Sequence, residues 1–160
     1  MSAIALYEIE IPGPAAGDLT VDRSVAQPTE GGPVCVGISF RTAPLALRER
    51  LVIPESGIEA ALSRFGCGNA AQPSAIRELV ILSTCNRLEL YAAGGTEADQ
   101  ALFELIEDAT GVPSAEWRGA SYMLSGSDAV RHLCRTTAGL ESMVIGEPQI
   151  LGQVSEAFAT

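Results

Sequence analysis

Arg77-Glu78-Leu79-Val80-Ile81-Leu82-Ser83-Thr84-Cys85-Asn86-Arg87-Leu88-Glu89-Leu90-Tyr91-Ala92 reads as two strands joined by a short polar link. The first half is a nearly continuous β-prone apolar run; the second alternates, as a strand does when its two faces differ. The polar residues Ser83 to Asn86 form the link, so Cys85 falls at a strand-to-strand turn.

Working outward, Val34-Cys35-Val36-Gly37-Ile38-Ser39-Phe40 is a further short apolar run and reads as a largely buried strand. Pro44 marks a turn, residues 45–51 suit a short helix, and Pro54 opens another through about Phe65, since proline fits a first helical turn. On the other side a helix is expected from about Glu97 to Ala109, with Leu102, Leu105, Ile106 and Ala109 at helical spacing. A last strand is expected at 121–124. The next helix runs from Asp128 to about Ala138 with Ser127 as N-cap. Its stripe is Val130, Leu133, Cys134 and Thr137, which leaves His132 and Arg135 off the core face. Pro148 opens a final helix with Ile150, Leu151, Val154 and Phe158 on one face. The expected architecture is an α/β (α+β) domain: a sheet of about four strands, antiparallel or mixed, packed with helices.

Residues 1–32 are rich in Gly, Pro, Ala and acids, show no sustained period, and read as a disordered leader; residues 33–160 form the domain. The helical pattern is still running at Thr160, without cap or breaker, and reads as a truncation of a larger protein.

With 160 residues, 47% of them hydrophobic, the chain can bury one ordinary core. No run approaches the roughly 18–20 apolar residues of a membrane helix, and Met1-Ser2-Ala3-Ile4 lacks a basic region, so a cytoplasmic protein without a membrane partner is expected. Cys35, Cys67, Cys85 and Cys134 are widely spaced, with one histidine in the chain, so neither a metal site nor a disulfide framework is suggested. A net charge of −10 excludes gripping nucleic acid through overall electrostatics, so any such contact is local. Every basic residue is arginine; Arg41, Arg48, Arg50, Arg87, Arg131 and Arg135 are candidate anion contacts or simply solvated charge.

Cys85, in a polar turn beside Arg87, is a candidate nucleophile, because a nearby cation favours thiolate over thiol; equally it is a small residue that suits a turn. Cys35 and Cys134 suit packing. His132 is the sole imidazole, so any imidazole acid or base is this one. Gln149 and Gln153 lie one turn apart on a helix face with Glu147 at its start, and could meet a polar substrate or water. Gly66-Cys67-Gly68-Asn69-Ala70-Ala71 formally fits G-x-G-x-x-A, but follows a helix and opens none, so it is not read as a dinucleotide turn.

Three blocks in order carry a resemblance: Val36 to Pro44 (VGISFRTAP) with Leu47-Arg48-Glu49-Arg50; Ser83 to Tyr91 (STCNRLELY); and His132 followed by Gly139 to Gln153 (GLESMVIGEPQILGQ). Together they resemble glutamyl-tRNA reductase, amino-terminal catalytic domain, over about Val34 to the end. The resemblance implies NADPH-dependent reduction of glutamyl-tRNA to glutamate-1-semialdehyde in tetrapyrrole biosynthesis, with glutamate held as a thioester on Cys85. Thr84, Cys85, Asn86, Arg87, Ser142, Glu147, Pro148, Gln149 and Gln153 map onto substrate-binding positions, and His132 onto a histidine that matters for activity; Arg87 would meet the side-chain carboxylate and Glu147 the α-ammonium. The family enzyme is homodimeric and expected to pass its product to glutamate-1-semialdehyde aminomutase. No metal is implied. NADPH-binding and dimerisation segments follow in the family, so this chain is expected to supply glutamate recognition and thioester formation only; a fragment that binds glutamyl-tRNA or a partner without turnover is the alternative. One departure stands out: Phe40-Arg41 occupies the place where the family usually has a histidine and a basic residue.

Overall fold

The computed structural model describes residues 3–8, 31–66 and 75–143. Within these, five strands form one sheet in the order β1-β3-β4-β2-β5, with β1 at Ala3–Glu8, β2 at Val34–Ser39, β3 at Ile76–Ser83, β4 at Arg87–Gly94 and β5 at Tyr122–Ser125. Every neighbouring pair is antiparallel. Helices α1 (Leu45–Arg50), α2 (Glu55–Gly66), α3 (Ala98–Thr110), α4 (Ser114–Trp117) and α5 (Ser127–Thr137) complete the described chain, with a 3-10 turn at Arg118–Ala120.

The alternation of β4 sets the layers. Leu88, Leu90 and Ala92 face a large core built with Val36 and Ile38 of β2, Leu79 and Ile81 of β3, Ile58 of α2 and Leu102, Leu105 and Ile106 of α3. Each of the valine, leucine and isoleucine side chains contributes roughly 1.5–3 kcal/mol when fully buried. Arg87, Glu89 and Tyr91 point the other way, toward α5, where Cys35, Leu82, Tyr91 and Ala129 form a smaller cluster. This second face carries the polar groups.

Three expectations need correction. Residues 3–8, inside the stretch read as a leader, form β1 and pair with β3 from Ala3↔Ser83 to Glu8↔Glu78. Composition could not show this, because the partner lies about 75 residues away in sequence; 9–30 lie outside the described residues. The cap of α5 is Gly126, at φ 56°, not Ser127; a glycine takes that left-handed backbone without penalty. The buried positions of α5 are Ala129 and Thr136, whereas Val130 and Cys134 of the expected stripe are exposed. His132 therefore turns toward the sheet rather than away from it. Helix α4, unforeseen in the sequence, carries the buried Trp117, whose ring stacks on Phe103 at 5.2 Å. The final helix expected from Pro148 lies outside the described residues.

Gly37 occupies a critical place in β2. It is level with Glu89 of β4 on one side and Tyr122 of β5 on the other. A methyl group there would stand 2.7 Å from the Leu88 carbonyl oxygen and 2.8 Å from Glu89 Cγ, and the backbone neighbour cannot step aside. Gly37→Ala is expected to destabilise the fold by about 1–3 kcal/mol, as overpacking does. Urea unfolding measures it; a variant as stable as the parent would show that the sheet can open there.

Candidate active site

The Cys85 turn is built by its own hydroxyl and by two reaching segments. Thr84 Oγ1 accepts from the backbone N–H groups of Asn86 (3.2 Å) and Arg87 (3.1 Å), and Thr84 N donates to the Arg87 carbonyl at 2.9 Å. The Phe40 N–H donates to the Asn86 carbonyl at 2.8 Å. Arg48, from α1, donates through Nη1 to the Cys85 carbonyl (2.7 Å) and to Asn86 Oδ1 (3.1 Å). The tip is thus held rigidly while Cys85 itself is exposed.

Arg48, not Arg87, is the arginine that grips this tip. Arg87 has only 2% of its side chain exposed and turns inward. Its Nη1 donates to Glu89 Oε1 at 2.9 Å and to Thr136 Oγ1 at 3.0 Å, and its Nη2 donates to the Glu141 carbonyl. Glu89 has no exposed surface, and its carboxylate gathers donors from three elements: Arg87 and Tyr91 on β4, Tyr122 on β5 and His132 on α5. Tyr91 Oη reaches Oε2 at 2.7 Å, and His132 Nε2 stands 3.1 Å from Oε1.

Burial alone would raise the Glu89 pKa, but the His132 hydrogen bond, the Arg87 charge and the Tyr122 hydrogen bond together outweigh it and hold the carboxyl below its ordinary value. Burial and then the Glu89 charge push the phenols of Tyr91 and Tyr122 and the thiol of Cys35 upward, so all three stay protonated. Glu141 is a second anchor, accepting from Arg41 Nη1 (2.5 Å) and Arg135 Nε (2.6 Å). Burial opposes its ionisation too, yet these arginines, Arg135 first, keep its pKa low.

These groups line an open cleft of about 290 Å³ formed by Ser39, Arg41, Thr42, Arg87, Glu89, Tyr122, Leu124, His132 and Glu141. Of the residues singled out in the sequence, Arg41, Arg87 and His132 line this cleft, and the last two meet through Glu89. Thr84, Cys85 and Asn86 sit on the hairpin tip that leads into Arg87, and Ser142 follows Glu141, its N–H donating to the Gly139 carbonyl at 3.3 Å. Glu147, Pro148, Gln149 and Gln153 lie outside the described residues. Glu89, Tyr122 and Glu141 were not singled out, and Arg48 was read only as a candidate anion contact. The signal for Glu89 was the alternation of Arg87, Glu89 and Tyr91 along a strand otherwise apolar enough to be central.

A family profile, "Glutamyl-tRNAGlu reductase, N-terminal domain", matches residues 36–160. The chain belongs to this family. The glutamyl-tRNA reductase of Syntrophus aciditrophicus is 41% identical over 131 residues, 79% of this chain and 30% of that protein. That of Gloeothece citriformis is 45% identical over 122 residues, 74% of this chain and 27% of that protein. A solved structure, glutamyl-tRNA reductase from Methanopyrus kandleri, superposes with a TM-score of 0.58 at 32% identity, covering 81% of this chain and 28% of that one. The chain thus spans about 30% of the length of a curated glutamyl-tRNA reductase, and the antiparallel sheet with packed helices is the N-terminal domain fold of that family. Among the described residues no group of His, Cys, Asp and Glu could hold a metal ion, and no helix is long and apolar enough to cross a membrane.

The Arg87–Glu89 pair makes the site's stability depend on pH. Unfolded, Glu89 titrates near the ordinary value of about 4.3; folded, it titrates lower. Its contribution is therefore complete above about pH 4.3 and is lost as the pH falls through the folded value. Arg87→Met, which strands a buried carboxylate, is expected to cost about 3 kcal/mol at neutral pH and to flatten the acid side of the stability profile. Denaturant unfolding at stepped pH checks both; an unchanged profile would remove Arg87 from the groups that lower the Glu89 pKa.

Proposed function

We propose that this domain takes glutamate from glutamyl-tRNA and holds it as a thioester on Cys85. The observation that carries the reading is local. The β3–β4 hairpin exposes Cys85 at a tip fastened by Arg48 and Phe40, and two residues on Arg87 enters a cleft shared with His132.

In this reading the Cys85 sulfur attacks the ester carbonyl carbon; a sulfur–carbon bond forms, the carbon–oxygen bond to the tRNA ribose breaks, and the thiol proton ends on the departing ribose oxygen. A fixed tip limits the motion of the attacking sulfur, which lowers the entropic part of the barrier. In the same reading the edge of the Arg87 guanidinium that lines the cleft meets the glutamate side-chain carboxylate, while its bonds to Glu89, Thr136 and Glu141 hold that group in place. His132 serves as acid, base or polarising group. Thr84, Asn86, Ser142, Glu147, Pro148, Gln149 and Gln153 complete the proposed substrate contacts, Glu147 toward the α-ammonium.

Reduction to glutamate-1-semialdehyde with NADPH, homodimerisation and hand-over to glutamate-1-semialdehyde aminomutase are proposed for the whole family enzyme in tetrapyrrole biosynthesis. NADPH binding is left to the rest of the family enzyme: Gly66, where the glycine-rich match starts, ends helix α2 rather than following a strand. A cytoplasmic setting belongs to the same reading and agrees with the free thiols of Cys35, Cys85 and Cys134.

Incubation with tRNA carrying labelled glutamate, without NADPH and quenched in acid, is expected to leave label on the parent chain and none on Cys85→Ser. His132→Asn is expected to slow labelling by about 10²–10⁴-fold, the range of a lost acid–base group. Binding of the charged tRNA with no adduct on folded protein would favour the non-catalytic fragment instead.

A further inference from the structure

Glu89 is the most elaborately satisfied side chain of the described domain, and it backs the cleft with no exposed surface of its own. Four groups converge on it, and Gly37 leaves open the row between β4 and β5 that lets Tyr122 reach it. Arg87 always donates, and it pairs with Oε1, the same oxygen that faces His132 Nε2. Both tyrosines also present a hydroxyl to this carboxylate. A nitrogen lone pair directed at a carboxylate oxygen would be repelled, so the proton of a neutral imidazole belongs on the nitrogen facing it.

We infer that Glu89 is a positioning residue that locks His132 in its Nε2–H tautomer, leaving Nδ1 as the nitrogen whose lone pair handles protons in the cleft. The ring is also fixed in orientation: Tyr122 meets it edge-on, centroids 5.5 Å apart and planes at 78°, and Tyr91 lies against it at 6.4 Å and 28°. When Nδ1 takes a proton, the imidazolium lies beside an anion and is stabilised there, as in other carboxylate–histidine pairs. The low Glu89 pKa agrees with a carboxylate that is already charged in the resting protein. The inference rests on the proposed thioester chemistry only for the use made of Nδ1; the tautomer stands or falls separately.

Because His132 is the only histidine in the chain, a long-range proton–nitrogen NMR spectrum reports this ring without ambiguity. At a pH where titration shows the imidazole neutral, the parent chain is expected to show a proton-bearing Nε2 and a bare Nδ1. Glu89→Gln, whose amide can donate as well as accept, is expected to shift the nitrogens toward a mixture of tautomers and to slow glutamate trapping on Cys85 by about 10²-fold or more. A bare Nε2 in the parent would overturn the inference, and so would a folded Glu89→Gln protein with an unchanged spectrum. Should that variant fail to fold, Tyr122→Phe keeps the carboxylate and is expected to keep the Nε2–H tautomer; its loss there would assign the control to Tyr122. Absence of trapping on the parent chain would fault the thioester reading and leave the spectrum to decide the tautomer.

Discussion

A carboxylate shut away from water in the middle of a sheet must be compensated on every side, and Glu89 is in that position. Taking such an ion out of water costs several kcal/mol even after the protein relaxes. The cost is offset by Arg87, Tyr91, Tyr122 and His132, which bring donors from β4, β5 and α5. Because those donors belong to separate elements, satisfying Glu89 fixes the edge strand β5 and the helix α5 against the central strands. The register of the sheet follows from the same requirement, since a slip of one residue in β4 would send Arg87, Glu89 and Tyr91 into the apolar core.

The two faces of the sheet consequently do different work. The face toward α2 and α3 is an ordinary apolar core that supplies stability. The face toward α5 gives up part of that burial to hold a charged and hydrogen-bonded cluster, and the cleft opens where this cluster meets the turn after β2. Glu141 extends the network to the rim, where its carboxylate is shared by Arg41 and Arg135. Arg41, from the turn after β2, serves this rim. The hairpin tip with Cys85 is fastened from outside the cluster, by Arg48 and by the Phe40 amide. The exposed thiol and the Glu89 cluster are thus held by separate sets of bonds, joined through Arg87.

Much of this was written in local sequence. The alternation of Leu88, Leu90 and Ala92 with Arg87, Glu89 and Tyr91, the turn at Ser83 to Asn86 and the helical spacing of Leu102, Leu105 and Ile106 depend on neighbours within one element, and period alone reveals them. The family blocks likewise named Cys85, Arg87 and His132. Helix α5 shows where that reading stops: its apolar stripe of Val130, Leu133 and Cys134 points to one inner face, but the helix turns Ala129, His132 and Thr136 toward the sheet. Polar partners on β4 chose its rotation, and periodicity counts only apolar residues.

The sequence by itself therefore determined strands β2 to β5, the larger helices and the turn that carries Cys85. Only the tertiary structure decided that residues 3–8 join the sheet, that Arg48 rather than Arg87 grips the Cys85 turn, and that Glu89 binds His132. Each of these joins residues at least 37 positions apart. Such a contact is selected by the free energy of the assembled core and its buried polar groups, and no window of sequence contains both of its ends.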